Sequence, residues 1–289
     1  MLCSVSSFGQ IKSAYYVQFQ NKNTVFIAEE HLSDKAIERR NKFDISIDSS
    51  DFPVNQSYID QVLNDSTITI RYALKWQNAI VVESIQDTLD LSTFPFIKQV
   101  KYVGKTFQRN TSTSNTFQYL KPYLKLKDET MPTKDLSAKD YGKAYGQNSQ
   151  IGVINLHQNG FDGTGIDIAV FDAGFYNIDK IPAFIKHQGN QLITYGADIV
   201  DLDNVVNDRD NHGTAVSSCI AAYDKGRYIG SAPKANLILF RTENASSEYP
   251  IEELNWCKAA ELADSIGVDM ISSSLGYTEY DEDSLSYTH

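Results

Sequence analysis

The feature that most constrains the fold is the alternation, in the second half of the chain, of short unbroken apolar runs with helical segments. Residues 168–171 form one such run between two glycines, and the segment A-N-L-I-L-F at 235–240 is predicted to be another buried strand. A strand that is covered on both faces has this composition. Helical patterns follow at 212–222 and 250–266, and residues 268–276 favour a further strand. We predict an α/β fold with a parallel, doubly wound sheet, whose ligands bind beyond the carboxyl ends of the strands.

The segment 250–266 is predicted to be an amphipathic helix. Four apolar residues share one face at helical spacing: Ile251, Leu254, Leu262 and Ile266. Gly267 suits the position just past the helix end, where a left-handed backbone is common. The helix is therefore expected to bury this apolar face.

The first part of the chain has a different order of elements. A strand is predicted at 15–20, and two helices follow, the first of them capped by Ser33. Alternating and β-branched residues predict strands at 67–74 and 79–83, before a short helix and a last strand. That order fits a small α+β domain with an antiparallel sheet. Its polar residues form no cluster typical of catalysis.

Charge divides the chain into three parts. Residues 1–103 carry a net charge of −2, residues 104–148 of +4 and residues 149–289 of −13. The middle part mixes Ser, Thr, Lys, Gly and Pro without apolar periodicity, which is typical of a linker. We therefore predict an α+β domain at 11–103, joined by that linker to the α/β domain. The first ten residues are either a signal-peptide remnant, 1–10, or an ordinary frayed terminus.

Composition disfavours several classes of partner. The net charge of −11 disfavours a nucleic-acid partner. The sequence contains no apolar run long enough for a helix to cross a bilayer, so no membrane partner is expected. The cysteines Cys3, Cys219 and Cys257 are too few and too scattered for a disulfide framework or a thiolate zinc site. Cys219 is expected to be a small buried side chain.

Two residues have the pattern of a catalytic pair. Asp172 ends the apolar strand in V-F-D-A-G-F, and His212 opens a small-residue helix in D-N-H-G-T-A-V. A carboxylate at a strand end and an imidazole at a helix start can meet at the carboxyl edge of a parallel sheet. There the carboxylate would fix the tautomer of the imidazole and stabilise its protonated form. The helix start, in turn, favours the neutral imidazole, which is the form that acts as a base.

In this order, the two motifs resemble the first two parts of the catalytic triad of subtilisin-like serine proteases. The strand ending in S-S-S-L-G resembles the substrate-binding strand of the same family. The resemblance implies that Asp172 orients the imidazole and that His212 acts as the general base. It also implies that Ser274, Leu275 and Gly276 bind an extended polypeptide substrate.

The preceding α+β domain resembles, in position and topology, the inhibitory propeptide of secreted members of that family. The resemblance implies that this domain templates folding of the protease domain and occupies its own cleft until it is cut away. The linker 104–148 is placed for that cut, although it could equally remain an uncut tether. A secreted, extracellular protein is the expectation that follows.

The resemblance has one departure. The family's nucleophilic serine lies in a Gly-Thr-Ser motif, preceded by an oxyanion-hole asparagine, and this sequence has no Gly-Thr-Ser and stops 77 residues after His212. The chain is therefore expected to be the amino-terminal part of a protease and to be inactive alone. Two functions stay open: a serine endopeptidase shown here without its nucleophile, or a non-catalytic homologue or propeptide-type protease inhibitor and binding module.

No metal ligands and no cofactor are predicted. Calcium prefers several carboxylate oxygens, but a solvated acidic loop is the favoured interpretation of four aspartates that match no ligand motif: Asp201, Asp203, Asp208 and Asp210. The histidines other than His212 also lack a motif, and all four are expected at the surface: His31, His157, His187 and His289.

Overall fold

The structure is a computed structural model and describes residues 11–107, 133–184 and 193–287. The chain divides into two compact units, each made of more than one segment. The first unit comprises residues 1–116, 246–261 and 277–289. The second unit comprises residues 117–245 and 262–276.

The first unit is built on a four-stranded sheet in which every pair of neighbours is antiparallel, with the order β2-β3-β1-β4. Its strands are β1 (Ile11–Phe19), β2 (Ile68–Leu74), β3 (Ala79–Ser84) and β4 (Ile97–Phe107). Its helices are α1 (Ala28–His31), α2 (Asp34–Phe43) and α3 (Gln56–Val62). The predicted α+β arrangement with an antiparallel sheet is therefore observed.

One face of this sheet packs on α3. Alternate residues of the strands point to that face, and Val17 and Val82 join Ile59 and Val62 of the helix in one buried cluster. Burying a side chain of this kind stabilises the fold by about 1.5–3 kcal/mol. Ser33 caps α2 as predicted, because its hydroxyl oxygen accepts a hydrogen bond from the backbone N–H of Ala36 at 3.1 Å.

The prediction of a short helix before the last strand of this unit is wrong. Residues 85–96 form bends and turns instead. The Asp90 carboxylate accepts a hydrogen bond from the backbone N–H of Ser92 at 2.9 Å, and the N–H of Phe94 donates to the Leu91 carbonyl at 3.1 Å. Aspartate competes in this way for backbone N–H groups that a helix would need.

The second unit is built on a parallel sheet of four strands with the order β10-β5-β9-β6. These strands are β5 (Asp167–Asp172), β6 (Ile193–Asp198), β9 (Asn236–Arg241) and β10 (Met270–Ser273), and a separate two-stranded ribbon is formed by β7 (Tyr223–Asp224) and β8 (Tyr228–Ile229). Its helices are α4 (Tyr145–Gln150), α5 (Val153–Gln158) and α6 (His212–Ala221), and α7 (Ile251–Ile266) ends in this unit. Every residue of β5 and of β9 is buried, as the unbroken apolar runs predicted.

The apolar face predicted for α7 is only partly buried. Ile251 is buried, but Leu254, Leu262 and Ile266 are half-buried. The fully buried positions of the helix include Ala259, Ala260 and Ala263, together with Glu252, Asn255 and Glu261. Small side chains permit close approach of a helix to its neighbours, and buried polar side chains are retained where partners reach them. Gly267 has the predicted left-handed backbone, with φ of 79°.

His157 is buried, so the expectation that it lies at the surface is wrong. Its Nε2 donates to the carbonyl oxygen of Ser231 at 3.0 Å, and its Nδ1 accepts from the Tyr141 hydroxyl at 2.8 Å. A neutral imidazole satisfies one donor and one acceptor in this way. Both ring nitrogens are thus paired inside the fold, which removes the cost of burying them. His187 and His289 lie outside the described residues.

The segment 104–148, expected as a linker, overlaps folded elements at both ends. Residues 104–107 complete β4, and a 3-10 helix spans Ala138–Tyr141 ahead of α4. Residues 108–132 lie outside the described residues, as does the expected signal-peptide remnant at 1–10. The domain boundaries remain predictions.

Within the described segments of the chain, no helix combines the length and the apolar character needed to cross a membrane.

Candidate active site

Asp172 lies at the carboxyl end of β5, in the interior of the parallel sheet. Its side chain is fully buried, and its carbonyl oxygen accepts a hydrogen bond from the N–H of Thr242 at 3.0 Å. Register pairs Asp172 with Arg241, the last residue of the neighbouring strand β9. The sheet therefore holds this carboxylate at the edge where parallel folds bind ligands.

His212 is the first residue of α6. Its backbone N–H donates to a carboxylate oxygen of Asp210 at 2.7 Å, which satisfies one of the N–H groups left free at a helix start. The side chain of His212 is 53% exposed. The imidazole therefore has one side toward the protein and one side open to a ligand.

The structure brings the two predicted residues into contact. Nδ1 of His212 lies 2.9 Å from Oδ1 and 3.0 Å from Oδ2 of Asp172. An ionised carboxylate only accepts hydrogen bonds, so Nδ1 carries the proton. In the neutral ring Nε2 then bears the lone pair that can accept a proton. Among the described residues, no side chain or backbone group is hydrogen-bonded to Nε2 of His212.

Burial raises the pKa of the Asp172 carboxyl above its ordinary value. Hydrogen bonds from His212 and from the backbone N–H of Ala173, the latter at 2.8 Å, oppose that rise. A carboxylate in such a site depends on its donors to remain ionised. The imidazole of His212 is thus both the partner of this charge and the group that it orients.

Two glycines allow the strand end and the helix start to approach this closely. A Cβ atom on Gly213 would lie 2.5 Å from the carbonyl oxygen of Gly174 and 2.8 Å from Cβ of Asp172. A Cβ on Gly174 would lie 2.6 Å from the backbone nitrogen of Asp210, and φ at Gly174 is +157°. The motifs D-A-G and H-G-T therefore supply the space that the Asp–His contact requires.

An ionic cluster, which the sequence did not reveal, lies beside the pair; it is buried at Asp198 and Arg241 and half-buried at Asp201 and Arg209. It consists of Asp198, Asp201, Arg209 and Arg241. Burial raises the pKa of Asp198 to about 6, against the lowering effect of Arg241. Burial acts the same way on Asp201, but the cations of Arg241 and Arg209 outweigh it and lower the pKa of that carboxyl. The four residues of the cluster lie between positions 198 and 241. The pairing register of β6 and β9 brings them together, and the sequence alone does not contain that register.

The residues expected to bind substrate, Ser274, Leu275 and Gly276, directly follow β10. Ser274 and Gly276 are exposed and Leu275 is half-buried. Ser273 pairs with Phe171 in the parallel register of β10 and β5, so Ser274 continues the chain at the level of Asp172. These residues and the Asp–His pair thus share one edge of the sheet.

The acidic stretch before His212 is more than a solvated loop. Asp201 accepts hydrogen bonds from Arg209 and Arg241, Asp203 accepts one from the N–H of Val205, and Asp210 holds the His212 N–H. Within the described parts of the chain, no group of three or more His, Cys, Asp or Glu side chains is arranged to hold a metal ion.

Cys219 is exposed, so its predicted burial is wrong. The buried positions of α6 are Gly213, Thr214, Ser217 and Ala221, which recur at helical spacing. Position 219 falls on the opposite side of the helix. A small apolar side chain does not fix which face a residue occupies.

Comparison with protein families gives two matches, which follow one another along the chain without overlapping. Residues 14–118 match the peptidase S8 propeptide domain of the Bacteroidota. Residues 163–289 match the subtilase family. The subtilase match includes Asp172, His212 and the segment after β10.

Among curated proteins, Subtilisin E of Bacillus subtilis (strain 168) and Subtilisin NAT of Bacillus subtilis subsp. natto are each 31% identical over 134 residues. The match covers 44% of this chain and 31% of each relative. The matched region thus spans about a third of the length of these curated relatives.

Two solved structures illustrate the range of structural likeness. The epidermin leader peptide processing serine protease EpiP from Staphylococcus aureus has a TM-score of 0.47 at 13% identity, covering 90% of this chain and 49% of that one. MycP1 from Mycobacterium smegmatis has a TM-score of 0.36 at 20% identity, covering 52% and 40%. The two family matches show that residues 163–289 form a domain of the subtilase family and that a peptidase S8 propeptide domain, residues 14–118, precedes it.

Proposed function

We propose that the protein is a serine endopeptidase, in which Asp172 orients the imidazole of His212 and His212 acts as the general base. The observation that carries this proposal is the hydrogen bond from Nδ1 of His212 to the buried carboxylate of Asp172, at 2.9 Å. A base must present its lone pair to a nucleophile, and the side chain of His212 is 53% exposed. This hydrogen bond supports the roles proposed for the carboxylate and the imidazole in a catalytic triad.

The chemistry also needs a serine hydroxyl at Nε2 of His212 and donors for the oxyanion. The 289 residues contain no Gly-Thr-Ser. The proposed activity is therefore that of the full-length protein, and these residues alone are expected to leave peptide bonds intact. The base removes the serine proton during attack on the carbonyl carbon and returns it to the leaving amine.

We propose that the substrate is an extended polypeptide that pairs with backbone groups at Ser274–Gly276. Support comes from the position of these residues, which follow β10 at the edge of the sheet that holds Asp172, and from the exposure of Ser274 and Gly276. Addition of a peptide as an extra strand is a common way in which proteins recognise extended chains.

The propeptide domain is proposed to act on its own chain, by occupying the cleft until a cut between residues 104 and 148 releases it. Within the first unit, its sheet contacts the segment 246–261. The Tyr72 hydroxyl donates to Oδ1 of Asn255 at 2.6 Å, and Nζ of Lys258 donates to the carbonyl oxygen of Ala73 at 3.1 Å. These contacts support an intramolecular role. A propeptide of this kind is typical of secreted subtilases, and we propose secretion for this protein.

The test of the proposed activity is hydrolysis of an unfolded, dye-labelled polypeptide by the full-length protein. Asp172→Asn and His212→Ala are each expected to lower kcat by at least about 10⁴-fold, which is the size of loss known for the same residue types in subtilisin itself. Both variants should also stop self-cleavage between residues 104 and 148, which gel electrophoresis and mass spectrometry detect.

Matched controls are Asp224→Asn and His31→Ala, which remove the same chemical groups away from the pair. Both should retain activity and processing. Retained hydrolysis in the Asp172 and His212 variants would refute the assignment. A full-length protein that cleaves nothing but binds and inhibits an active subtilase would favour the non-catalytic alternative.

A further inference from the structure

Arg241 lies between two aspartates at the carboxyl edge of the parallel sheet. It is the last residue of β9, and register pairs it with Asp172 on β5 and with Asp198 on β6. Its side chain is only 6% exposed. A buried guanidinium requires several acceptors, so the groups that surround it are arranged for it.

Three groups accept hydrogen bonds from this guanidinium. Nε donates to the carbonyl oxygen of Ala173 at 3.0 Å. One terminal nitrogen donates to Asp198 at 2.8 Å and to Asp201 at 2.9 Å. The acceptors lie just after β5, at the end of β6 and in the loop that directly follows β6, so Arg241 joins its own strand β9 to two other segments of the chain.

Ala173 is held from both of its backbone groups. Its N–H donates to the Asp172 carboxylate at 2.8 Å, while its carbonyl oxygen accepts from Arg241. A rotation of the chain at this position would break both hydrogen bonds together. Arg241 therefore restrains the same residue that orients the carboxylate of Asp172.

The other end of the cluster reaches the loop that leads into α6. Asp201 accepts from Arg241 and also from Nε and a terminal nitrogen of Arg209, at 3.1 and 2.9 Å. Arg209 precedes His212 by three residues, and its Cβ lies against Gly174. The cluster thus joins the backbone beside Asp172 to the backbone that carries His212.

We propose that Arg241 is a positioning residue for the Asp172–His212 pair, holding Ala173 directly and the His212 loop through Asp201 and Arg209. This inference rests on the proposed function, in which the pair is the acid and base. Arginine suits the task because its planar fork offers several donors in fixed directions, whereas the ammonium of lysine is a point charge on a flexible stem. The geometry of the fork, beyond its charge, is what this role requires.

The test is nitrogen–proton NMR of the histidine rings in the 289-residue chain, which reports which ring nitrogen carries the proton. In the unsubstituted chain His212 should be the Nδ1–H tautomer alone. Arg241→Lys keeps the charge of the buried cluster and removes the fork, so loss of this single tautomer, with protonation shifting toward Nε2, is expected. Arg241→Met should show at least the same loss if it folds.

Arg227→Met is the matched control, because the Arg227 side chain is 81% exposed and pairs only loosely with Asp224, at 3.9 Å. It should leave the His212 signal unchanged. Asp201→Ala removes the oxygen that accepts from Arg209 and Arg241 while leaving the Ala173 carbonyl bonded to Arg241, and a partial loss of the Nδ1–H tautomer is expected. An unchanged His212 signal in folded Arg241→Lys overturns the proposal.

Hydrolysis by the full-length protein separates this inference from the proposed function. Arg241→Lys is expected to lower kcat by about 10- to 100-fold with little change in KM, because misplacement of the pair affects the chemical step more than binding. If the protein cleaves no peptide but its His212 signal responds to Arg241, the proposed function fails and the positioning role stands. If it cleaves peptides equally well with lysine at 241, the positioning role fails and the proposed function stands.

Discussion

At the scale of single residues, the site depends on the absence of side chains as much as on their chemistry. The contact between Asp172 and His212 requires glycine at 213 and 174, because a Cβ atom at either position would collide with the facing segment. Neither glycine provides a catalytic group. A motif such as H-G-T therefore encodes a close approach together with a base.

Gly213→Ala is expected to lower the free energy of unfolding by about 1–3 kcal/mol, because the added methyl would meet the Gly174 carbonyl and Cβ of Asp172. Thermal and urea unfolding measure the change. Gly146→Ala, in helix α4, is the control: nothing lies within 4 Å of its added Cβ. Alanine there should stabilise the protein slightly, by about 0.5–1 kcal/mol. Equal effects of the two substitutions would contradict the packing argument.

Asp198 predicts a specific pH dependence of stability. Its pKa is about 6 in the folded protein, above the ordinary value of 3.8, because of burial. The unfolded chain therefore releases this proton at lower pH than the folded protein does. The contribution of Asp198 to stability is then largest below pH 4 and falls as pH rises from about 4 to 6.

Comparing the chain with its Asp198→Asn variant isolates this contribution. The free energy of unfolding, measured by urea titration at several pH values, should fall more steeply between about pH 4 and 6 in the unsubstituted chain than in the variant. Parallel curves would show that the carboxyl titrates alike in the folded and unfolded states.

At the scale of elements, helix α7 buries polar side chains as well as part of the apolar face that its sequence pattern predicted. Asn255 is buried on this helix and accepts a hydrogen bond from the hydroxyl of Tyr72 on β2. Glu261 accepts the N–H of Trp76 from the turn after β2, at 2.9 Å. Sequence periodicity cannot anticipate such partners, because they come from positions more than 180 residues away.

Tyr72→Phe tests this element. Removing the hydroxyl leaves the buried Oδ1 of Asn255 without the hydrogen bond from Tyr72. The free energy of unfolding of the first unit should therefore fall by about 1–2 kcal/mol. Tyr145→Phe, at an exposed tyrosine, is the control and should change stability by less than about 0.5 kcal/mol. A Tyr72→Phe variant as stable as this control would show that the hydrogen bond to Asn255 adds nothing to the stability of the unit.

At the scale of the whole molecule, the parallel sheet of the described residues has an apolar edge at β10. Met270 and Ile271 are 57% and 41% exposed on this strand. An exposed apolar edge strand is a template for pairing with another chain. For a chain of these 289 residues, the edge is a predicted site of self-association.

Ile271→Lys should therefore slow aggregation at high protein concentration, measured by light scattering, with little change in the unfolding temperature. A charge on an edge strand opposes pairing between copies. Val25→Lys, at a side chain that is 87% exposed in the first unit, is the control and should leave the aggregation rate as it was. If both substitutions slowed aggregation equally, the cause would be the change in net charge and not the loss of pairing at the β10 edge.

Much of the fold was predictable because it is encoded locally. The unbroken apolar run before Asp172 predicted a buried strand, and Ser33 predicted a helix start, since each depends on neighbours within a few residues. The short helix before β4 failed because Asp90 captures a backbone N–H. His157 and Cys219 failed because burial depends on distant partners, which a local pattern does not contain.

By itself, the sequence determined the two types of architecture, the order of Asp and His, and the presence of a strand within residues 268–276, of which the structure shows Met270–Ser273. These follow from periodicity, propensity and motifs, which act over short distances along the chain. Only the tertiary structure decided that Asp172 and His212 touch and that Arg241 donates to acceptors from two other segments of the chain. Parallel strands bring together residues that are far apart in sequence, so a site at their shared edge exists only once their register is set.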